Sequence, residues 1–467
     1  MNIVLPDGGK IHMIGICGSG MSGLAVIMAQ MGYQVSGSDL KLSSNSKHLK
    51  EIGVLINEGH DASYLGDADI VVRSAAVPTD NPEMLKAVES GIPIITRAQL
   101  LGKLMSLRKG IALSGTHGKT STTSMLAMVM ERAGLDPTVY IGGNLSQIGG
   151  SAKTGNGDYF IAEACEHFNS FHEIHPYIAI VTNIEADHLD FHGSLDGVID
   201  SFCTFLTHLD KDGFAVLCAD CPNVQRILPE VRKEHRMITY GFNEGVDCRA
   251  YDVKSDIPEP MFSVCFNGEN LGRFTLNVPG EHNVSNALAV IAVSMKLGID
   301  PDIIREALFD FHGADRRFEI LGSANGVTVV DDYAHHPTEV QATLTAARTF
   351  NRRIIALFQP HMYSRTILNA DMFAESLKLA DLLFLAEIFP SREKPVAGVS
   401  SQMIADKMGS CATVVRHLPD KDTIADEMMP SLRNGDLVLV MGAGDIRGAG
   451  ELLLEKLRSL DEGSDIK

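Results

Sequence analysis

Two glycine-rich turns constrain this chain more than any other feature, because each follows a short apolar run and opens a helical pattern. Gly18-Ser-Gly-Met-Ser-Gly23 comes after Ile11 to Ile16, and Gly115-Thr-His-Gly-Lys-Thr120 comes after Ile111 to Ser114. A strand that passes through glycines into a helix leaves unpaired backbone N–H groups at the helix N-terminus, where the dipole favours anions. Each turn is therefore expected to cradle phosphate, and each starts a βα unit of a parallel sheet.

The pattern repeats around both turns. The first hundred residues read as strand Ile11 to Ile16, helix from Gly20, strand Gln34 to Gly37, strand Ile70 to Arg73 and helix from Pro82, a doubly wound parallel sheet. A second start runs through Ile111 to Ser114 into a helix from Lys119 to Arg132. Apolar segments Tyr159 to Ala164 and Ile178 to Thr182 follow, then a strand-rich stretch near Asp247 to Val278 and a helix from about Asn283. A third alternating set begins at Gly326, with strand Val327 to Asp332, helix Pro337 to Arg348 and strands Ile354 to Gln359, Leu382 to Ala386 and Asp436 to Val440. The expected fold class is α/β in three domains: a Rossmann-like unit over 1–106, a central P-loop ATPase-like unit over 107–313 and a second Rossmann-like unit over 314–467. The chain has 467 residues, more than the roughly 250 to 300 that a single core serves.

A formal charge of −19 disfavours binding to nucleic acid or to an anionic membrane surface. Met1 to Pro6 carries no basic segment leading into an apolar run, and no stretch reaches the roughly 20 apolar residues of a membrane span, so a cytoplasmic chain without membrane insertion is expected. Eight scattered cysteines then read as reduced thiols. Cys218-Ala-Asp-Cys221 lacks a second ligand pair for zinc, and His188 and His192 lack the glutamate that a zinc-protease helix places between its histidines. Oligomeric state is left open by the sequence.

The first turn, with Asp39 ending the next strand, would suit NAD or a nucleoside-diphosphate sugar alike. The second turn is the shorter GxxGK[ST] form, with Leu113 standing where the strict Walker pattern has glycine. There Lys119 can reach the β- and γ-phosphates and Thr120 can hold a magnesium ion. Such an ion needs hard oxygen ligands, for which Glu163 at the end of an apolar run is a candidate, with Ala186-Asp-His-Leu-Asp190 as a further cluster. Asp331 to Pro337 and Gln359-Pro-His-Met-Tyr-Ser-Arg365 sit at two successive strand ends, where open α/β sheets bind ligands.

The ordered set Gly18 to Gly23, Gly115 to Thr120, Thr182-Asn-Ile-Glu-Ala-Asp-His-Leu-Asp190, Glu281-His-Asn-Val-Ser-Asn286, Asp331 to Pro337 and Pro390-Ser-Arg-Glu-Lys-Pro395 resembles the Mur ligases over essentially the whole chain. Within that family it is most similar to the members that join L-alanine to UDP-N-acetylmuramate. The resemblance implies ATP and Mg2+ as cofactors, and UDP-N-acetylmuramate and L-alanine as substrates. It implies a UDP-sugar site in the first domain from Gly18, Ser19, Gly20, Met21, Ser22, Asp39 and Ser74, with His335 of the third domain towards the muramyl carboxylate. ATP would meet Gly115, Thr116, His117, Gly118, Lys119 and Thr120 at its phosphates, and His282, Asn283 and Asn286 towards the adenine. Arg316 would approach the terminal phosphate and Asp331 the ribose, while Thr120, Glu163 and His188 would hold the metal. Tyr333, His361 and Arg365 would surround the amino acid, and Lys119, Glu163, His188 and Arg365 form the implied catalytic set.

The chain departs from the family pattern at three places. Met362 stands where the family often has arginine, and Glu163-Ala-Cys-Glu166 replaces the common Glu-Ala-Asp-Glu. No lysine lies between Asp190 and Lys211, so the carbamylated lysine of several sibling ligases is not expected.

Overall fold

The computed structural model describes residues 5–6, 8–409, 413–418, 420 and 423–464, except the side chains of Ser44, Asp190 and 461–464. Cys411 and residues 1–4, part of the cysteine and N-terminal readings above, lie outside the described residues. The chain is α/β throughout and builds three sheets in succession. The first holds β1 (Lys10–Ile14), β2 (Gln34–Asp39), β3 (Leu55–Glu58), β4 (Ile70–Arg73) and β5 (Ile94–Thr96) in the order β3-β2-β1-β4-β5. All its pairings are parallel, as the alternation of strand and helix requires.

The second sheet has ten strands: β6 (Lys109–Ser114), β7 (Thr138–Leu145), β8 (Gly150–Lys153), β9 (Tyr159–Glu163), β10 (Ile178–Val181), β11 (Phe214–Cys218), β12 (Met237–Gly241), β13 (Cys248–Lys254), β14 (Met261–Phe266) and β15 (Glu269–Thr275). Their order is β15-β14-β13-β12-β11-β10-β6-β9-β7-β8, so the strand entering the phosphate turn lies between β10 and β9. The third sheet holds β16 (Glu319–Ala324), β17 (Val327–Asp332), β18 (Ile354–Phe358), β19 (Leu382–Leu385), β20 (Val414–His417) and β21 (Leu437–Met441) in the order β16-β17-β21-β18-β19-β20. Here β16 pairs antiparallel with β17 and forms an edge that the alternation in sequence does not announce.

Two compact units emerge: Met1–Tyr251, Ser263–Arg273 and Ser285–Leu308 form one, and Asp252–Phe262, Phe274–Val284 and Phe309–Lys467 the other. The division passes through β13 to β15 and the helix Glu281–Lys296. Within the first unit the first sheet and much of the central sheet share one apolar cluster, from Ile11 and Leu24 to Phe171 and Phe202. Glycines allow that closeness. A Cβ on Gly102 would lie 2.0 Å from the carbonyl oxygen of Glu173, and one on Gly23 would lie 3.0 Å from the Tyr140 ring. In the second unit β21 alternates strictly: Leu437, Leu439 and Met441 enter one cluster, Val438 and Val440 another. Burial on both faces explains why this strand is an unbroken apolar run.

Helix starts follow local chemistry. Asn81 Oδ1 accepts from the N–H groups of Glu83 and Met84 at 2.9 and 3.2 Å, with Pro82 at the first helical position. Thr96 and Gln99 form a reciprocal capping box at the helix Arg97–Met105. No helix among the described residues is long and apolar enough to cross a membrane.

Asp332, at the end of β17, accepts from the N–H groups of Phe318 and Ala334 at 2.9 and 2.8 Å, closing the turn after the strand. Burial pushes its carboxyl up from 3.8 to about 6, against the opposing pull of Arg317. A pKa raised on folding means stability that is present at low pH and lost as pH rises towards and through that value. Wild type should therefore lose on the order of 3 kcal/mol relative to Asp332→Asn as pH climbs from below 4 to above 6. Chemical denaturation of both proteins across that window checks this; a pH-independent difference between them refutes it.

Candidate active site

The turn after β6 is held open by side chains from the end of β10. Asn183 Oδ1 accepts from the His117 N–H at 2.8 Å, while Thr182 Oγ1 and Asn183 Nδ2 donate to the His117 carbonyl at 2.6 and 3.1 Å. Thr116 N–H donates to the Asn183 carbonyl at 3.0 Å, and Thr116 Oγ1 accepts from Glu185 N–H at 2.8 Å. Gly115 has φ 140°, and a Cβ there would sit 2.0 Å from Thr182 Oγ1. Gly118 has φ 83°, and a Cβ there would fall 2.5 Å from Asn286 Oδ1. Both glycines are therefore required by close approach. Asn286, implied for the adenine, lies directly against the phosphate turn.

Lys119 opens the helix Lys119–Arg132, and its ammonium is held at the turn. Nζ donates to the carbonyls of Gly115 and Thr116, the latter at 3.1 Å, and to both oxygens of Glu166 at 3.1 and 3.0 Å. Burial alone would lower the lysine pKa, but the Glu166 carboxylate outweighs it and holds the ammonium above its usual range. Glu166, whose place in its motif suggested no role, is thus the anion that positions Lys119. Cys165 beside it is pushed up by burial and by Glu166, so it is a neutral thiol. Thr120 is buried in the first helical turn.

Glu163 ends β9, and its Oε1 accepts from Gly142 N–H at 2.8 Å. A Cβ on Gly142 would meet Oε2 at 2.6 Å, so that glycine leaves the carboxylate its space. The hydroxyl of Thr120 and the carboxylate of Glu163 are hard oxygen donors, the ligand class that magnesium takes. His188 has φ 52° and stacks on His167 with ring centroids 4.1 Å apart. His167 is followed by two consecutive left-handed residues, Phe168 and Asn169, at φ 55° and 53°. Strained non-glycine backbone of this kind gathers at functional sites.

The first glycine turn is tied to the central sheet within the same unit. Tyr140 Oη donates to the Gly20 carbonyl at 2.8 Å, and Arg97 Nη1 donates to Tyr140 Oη at 3.0 Å. Gly18 precedes the helix Ser19–Gln30, on which Ser19 is exposed while Met21 and Ser22 are buried and Ser22 Oγ donates to the Ser19 carbonyl at 3.0 Å. Asp39 Oδ2 accepts from Cys17 N–H at 2.9 Å and so braces the turn. Ser74 lies opposite, its Cβ 3.2 Å from where a Gly15 side chain would be.

In the second unit, β17 and β18 bring Tyr333, His335, His361 and Arg365 into one chain of contacts. The Tyr333 and His335 rings are 5.3 Å apart and those of His335 and His361 5.7 Å apart, both edge to face. Arg365 Nη1 lies 3.3 Å from His361 Nδ1. Burial, then the neighbouring His335 and Arg365, pulls His361 down to about 4, so it is neutral near pH 7 and accepts from that guanidinium. Met362 between them has φ 71°. Arg316 lies 4.8 Å over the Tyr333 ring. It also donates to Asp331 Oδ2 at 3.1 Å and to the Gly442 carbonyl at 2.6 Å. Arg447 adds a bond to the same Asp331 oxygen at 2.9 Å and pairs with Glu319, a partnership the sequence did not signal. Asp331 Oδ1 is buried with no partner among the described residues. His282 lies against Gly280, and Asn283 Nδ2 donates to the Pro279 carbonyl at 2.8 Å.

Comparison with known proteins gives this arrangement a family. Three family models match in succession: "Mur ligase family, catalytic domain" over residues 10–109, "Mur ligase middle domain" over 113–294 and "Mur ligase, glutamate ligase domain" over 316–444. A UDP-N-acetylmuramate–L-alanine ligase of Syntrophotalea carbinolica is 44% identical over 97% of this chain and 98% of its own length. One of Clostridium novyi is 45% identical over 97% of this chain and 99% of its own. Among solved structures, UDP-N-acetylmuramate-alanine ligase of Thermotoga maritima superposes with a TM-score of 0.83 at 30% identity, covering 97% of this chain and all of that one. A murein peptide ligase of Psychrobacter arcticus gives 0.71 at 27% identity over 97% and 99%. With three models tiling most of the sequence and relatives matched from end to end, the chain belongs to the Mur ligase family.

Proposed function

We propose that the chain joins L-alanine to the lactyl carboxylate of UDP-N-acetylmuramate at the expense of ATP, a step of peptidoglycan precursor synthesis in the cytoplasm. The observation that carries this reading is the clamped turn 115–120 with Lys119 poised on Glu166, at the head of a chain matched end to end by ligases of that name. A carboxylate does not accept an amine at neutral pH. Phosphoryl transfer first turns it into an acyl phosphate, and the amine of L-alanine then displaces phosphate.

The residues divide this work. The N–H groups of the turn 115–120 other than those of Thr116 and His117 receive the phosphates, and Lys119 exchanges its contact with Glu166 for the phosphate oxygens as charge develops on them. Thr120 and Glu163 would hold magnesium, with His188 as the further ligand that the resemblance implies, and the ion would neutralise phosphate charge when bound. The turn Gly18 to Ser22 takes the pyrophosphate of the sugar nucleotide, with Asp39 and Ser74 flanking it. Arg365 clamps the carboxylate of the amino acid, since a guanidinium matches it bidentately, and neutral His361 orients that guanidinium. Tyr333 and His335 complete the wall of that subsite. Asn286 steadies the phosphate turn; for the rest of the nucleotide the resemblance implies Asn283 and His282 for the adenine, Asp331 for the ribose and Arg316 for the terminal phosphate.

Removing the ammonium should stop phosphoryl transfer without touching the first domain. Lys119→Ala is expected to lower ADP release on the order of 10² to 10³-fold or more, while calorimetric binding of UDP-N-acetylmuramate stays intact. Undiminished ADP release would rule out Lys119 as the group that stabilises the transferring phosphate. The choice of acceptor is tested by incubating the protein with ATP and UDP-N-acetylmuramate plus either L-alanine or the stem tripeptide. Phosphate should appear with L-alanine, and appearance only with the tripeptide would point to the peptide-ligase branch.

A further inference from the structure

Beneath the first glycine turn lies a carboxylate that the ligation chemistry does not use. Glu83 has no exposed side chain, yet its Oε2 lies 2.5 Å from His12 Nε2 and its Oε1 lies 2.7 Å from His60 Nδ1. Ser38 Oγ donates to it as well, at 2.8 Å. Burying such a group costs several kcal/mol, and apolar residues of similar size often serve stability as well or better. Burial would raise this carboxyl, but the bonds from His12, Ser38 and His60 outweigh it and hold it below its ordinary range.

An ionised carboxylate can only accept, so each imidazole nitrogen facing it must carry a proton. For His12 the other nitrogen lies 2.9 Å from Ser36 Oγ, and the ring is wholly internal. His60 differs: its side chain is 14% exposed, and its Nε2 has no hydrogen-bond partner among the described residues. The ring stands just past β3, whose Glu58 pairs in register with Asp39, and Gly59 N–H donates to the Asp39 carbonyl at 2.7 Å. That is the carboxyl edge of the sheet, beside the turn that Asp39 braces.

We propose that His60 is the base-recognising residue of the nucleotide site and that Glu83 is its positioning residue, fixing the tautomer that presents Nε2 as an acceptor. This rests on the reading that the first domain takes a uridine nucleotide. Uracil offers an N3–H donor, whereas cytosine offers a bare N3 acceptor at the same place. A ring locked as an acceptor bonds the first and leaves the second facing lone pair to lone pair. Sites built around one hydrogen bond reject the analogue that cannot make it far more strongly than apolar pockets reject a change of size.

The test is calorimetric binding of UDP, CDP and 3-methyl-UDP to the full-length wild type, His60→Ala and Glu83→Gln. Wild type should prefer UDP over both analogues by roughly tenfold or more. His60→Ala should bring UDP affinity down to that for CDP. Glu83→Gln, whose amide can donate to Nδ1 and release the tautomer, should shrink the preference while His60 remains. The readout is a ratio within one protein, which a purely structural role for Glu83 would not move, and His60→Ala decides alone if Glu83→Gln does not fold. An unchanged UDP-to-CDP ratio in His60→Ala, or equal wild-type affinity for UDP and 3-methyl-UDP, overturns this proposal alone. Absence of any UDP binding by wild type overturns it together with the reading of the first domain.

Discussion

The active centre depends on the bonding of one strand end into its neighbour's turn. Five hydrogen bonds between Thr182, Asn183 and Glu185 on one side and Thr116 and His117 on the other satisfy polar groups that a glycine turn would otherwise leave to water. With the inner side of the turn so occupied, its remaining N–H groups are free to point outward, where phosphate can take them. The parallel pairing of β6 with β10 makes this automatic, because residue 114 lies in register with residue 181 and the two chains leave the sheet side by side. Thr182 and Asn183 therefore brace the turn as directly as its glycines shape it.

The same logic governs the charges. Glu166 holds Lys119 ionised against the desolvation of its half-buried position, and Glu166 is itself nearly inaccessible to solvent where it meets the lysine. Positioning across modules within the first unit is equally direct: Arg97, Tyr140 and the Gly20 carbonyl run in series from the helix after β5 through the central sheet to the first glycine turn. Gly102 and Gly23 let the packing come close enough for those bonds to form.

Much of the fold was legible in the sequence because its signals are local. The helix read from Pro82 is the helix Pro82–Glu89, and the helices Lys119–Arg132 and Pro337–Arg348 have the bounds read from the sequence. The strand read at Asp436 to Val440 is β21, one residue further along and buried on both faces. What escaped was long-range: the antiparallel edge strand β16, the β7–β8 hairpin, the pairing of Glu166 with Lys119 and of Arg447 with Asp331 and Glu319. Those residues are ordinary in their local context. Their roles come from partners tens or more than a hundred positions away, which periodicity cannot reveal.

The neutral thiol of Cys165 carries a consequence for how the nucleotide arrives. With sulfur protonated at that position, the neighbourhood of the turn holds Lys119 and Arg97 against Glu163 and Glu166, and the Glu185 carboxylate lies 3.4 Å from His117 of the turn itself. The chain as a whole bears −19. A triphosphate approaching from solution therefore meets repulsion at long range and no compensating local excess of positive charge, so its capture is governed by short-range amide dipoles and benefits from salt that screens the acidic surface. The pocket selects by geometry, and electrostatic steering contributes little to the encounter.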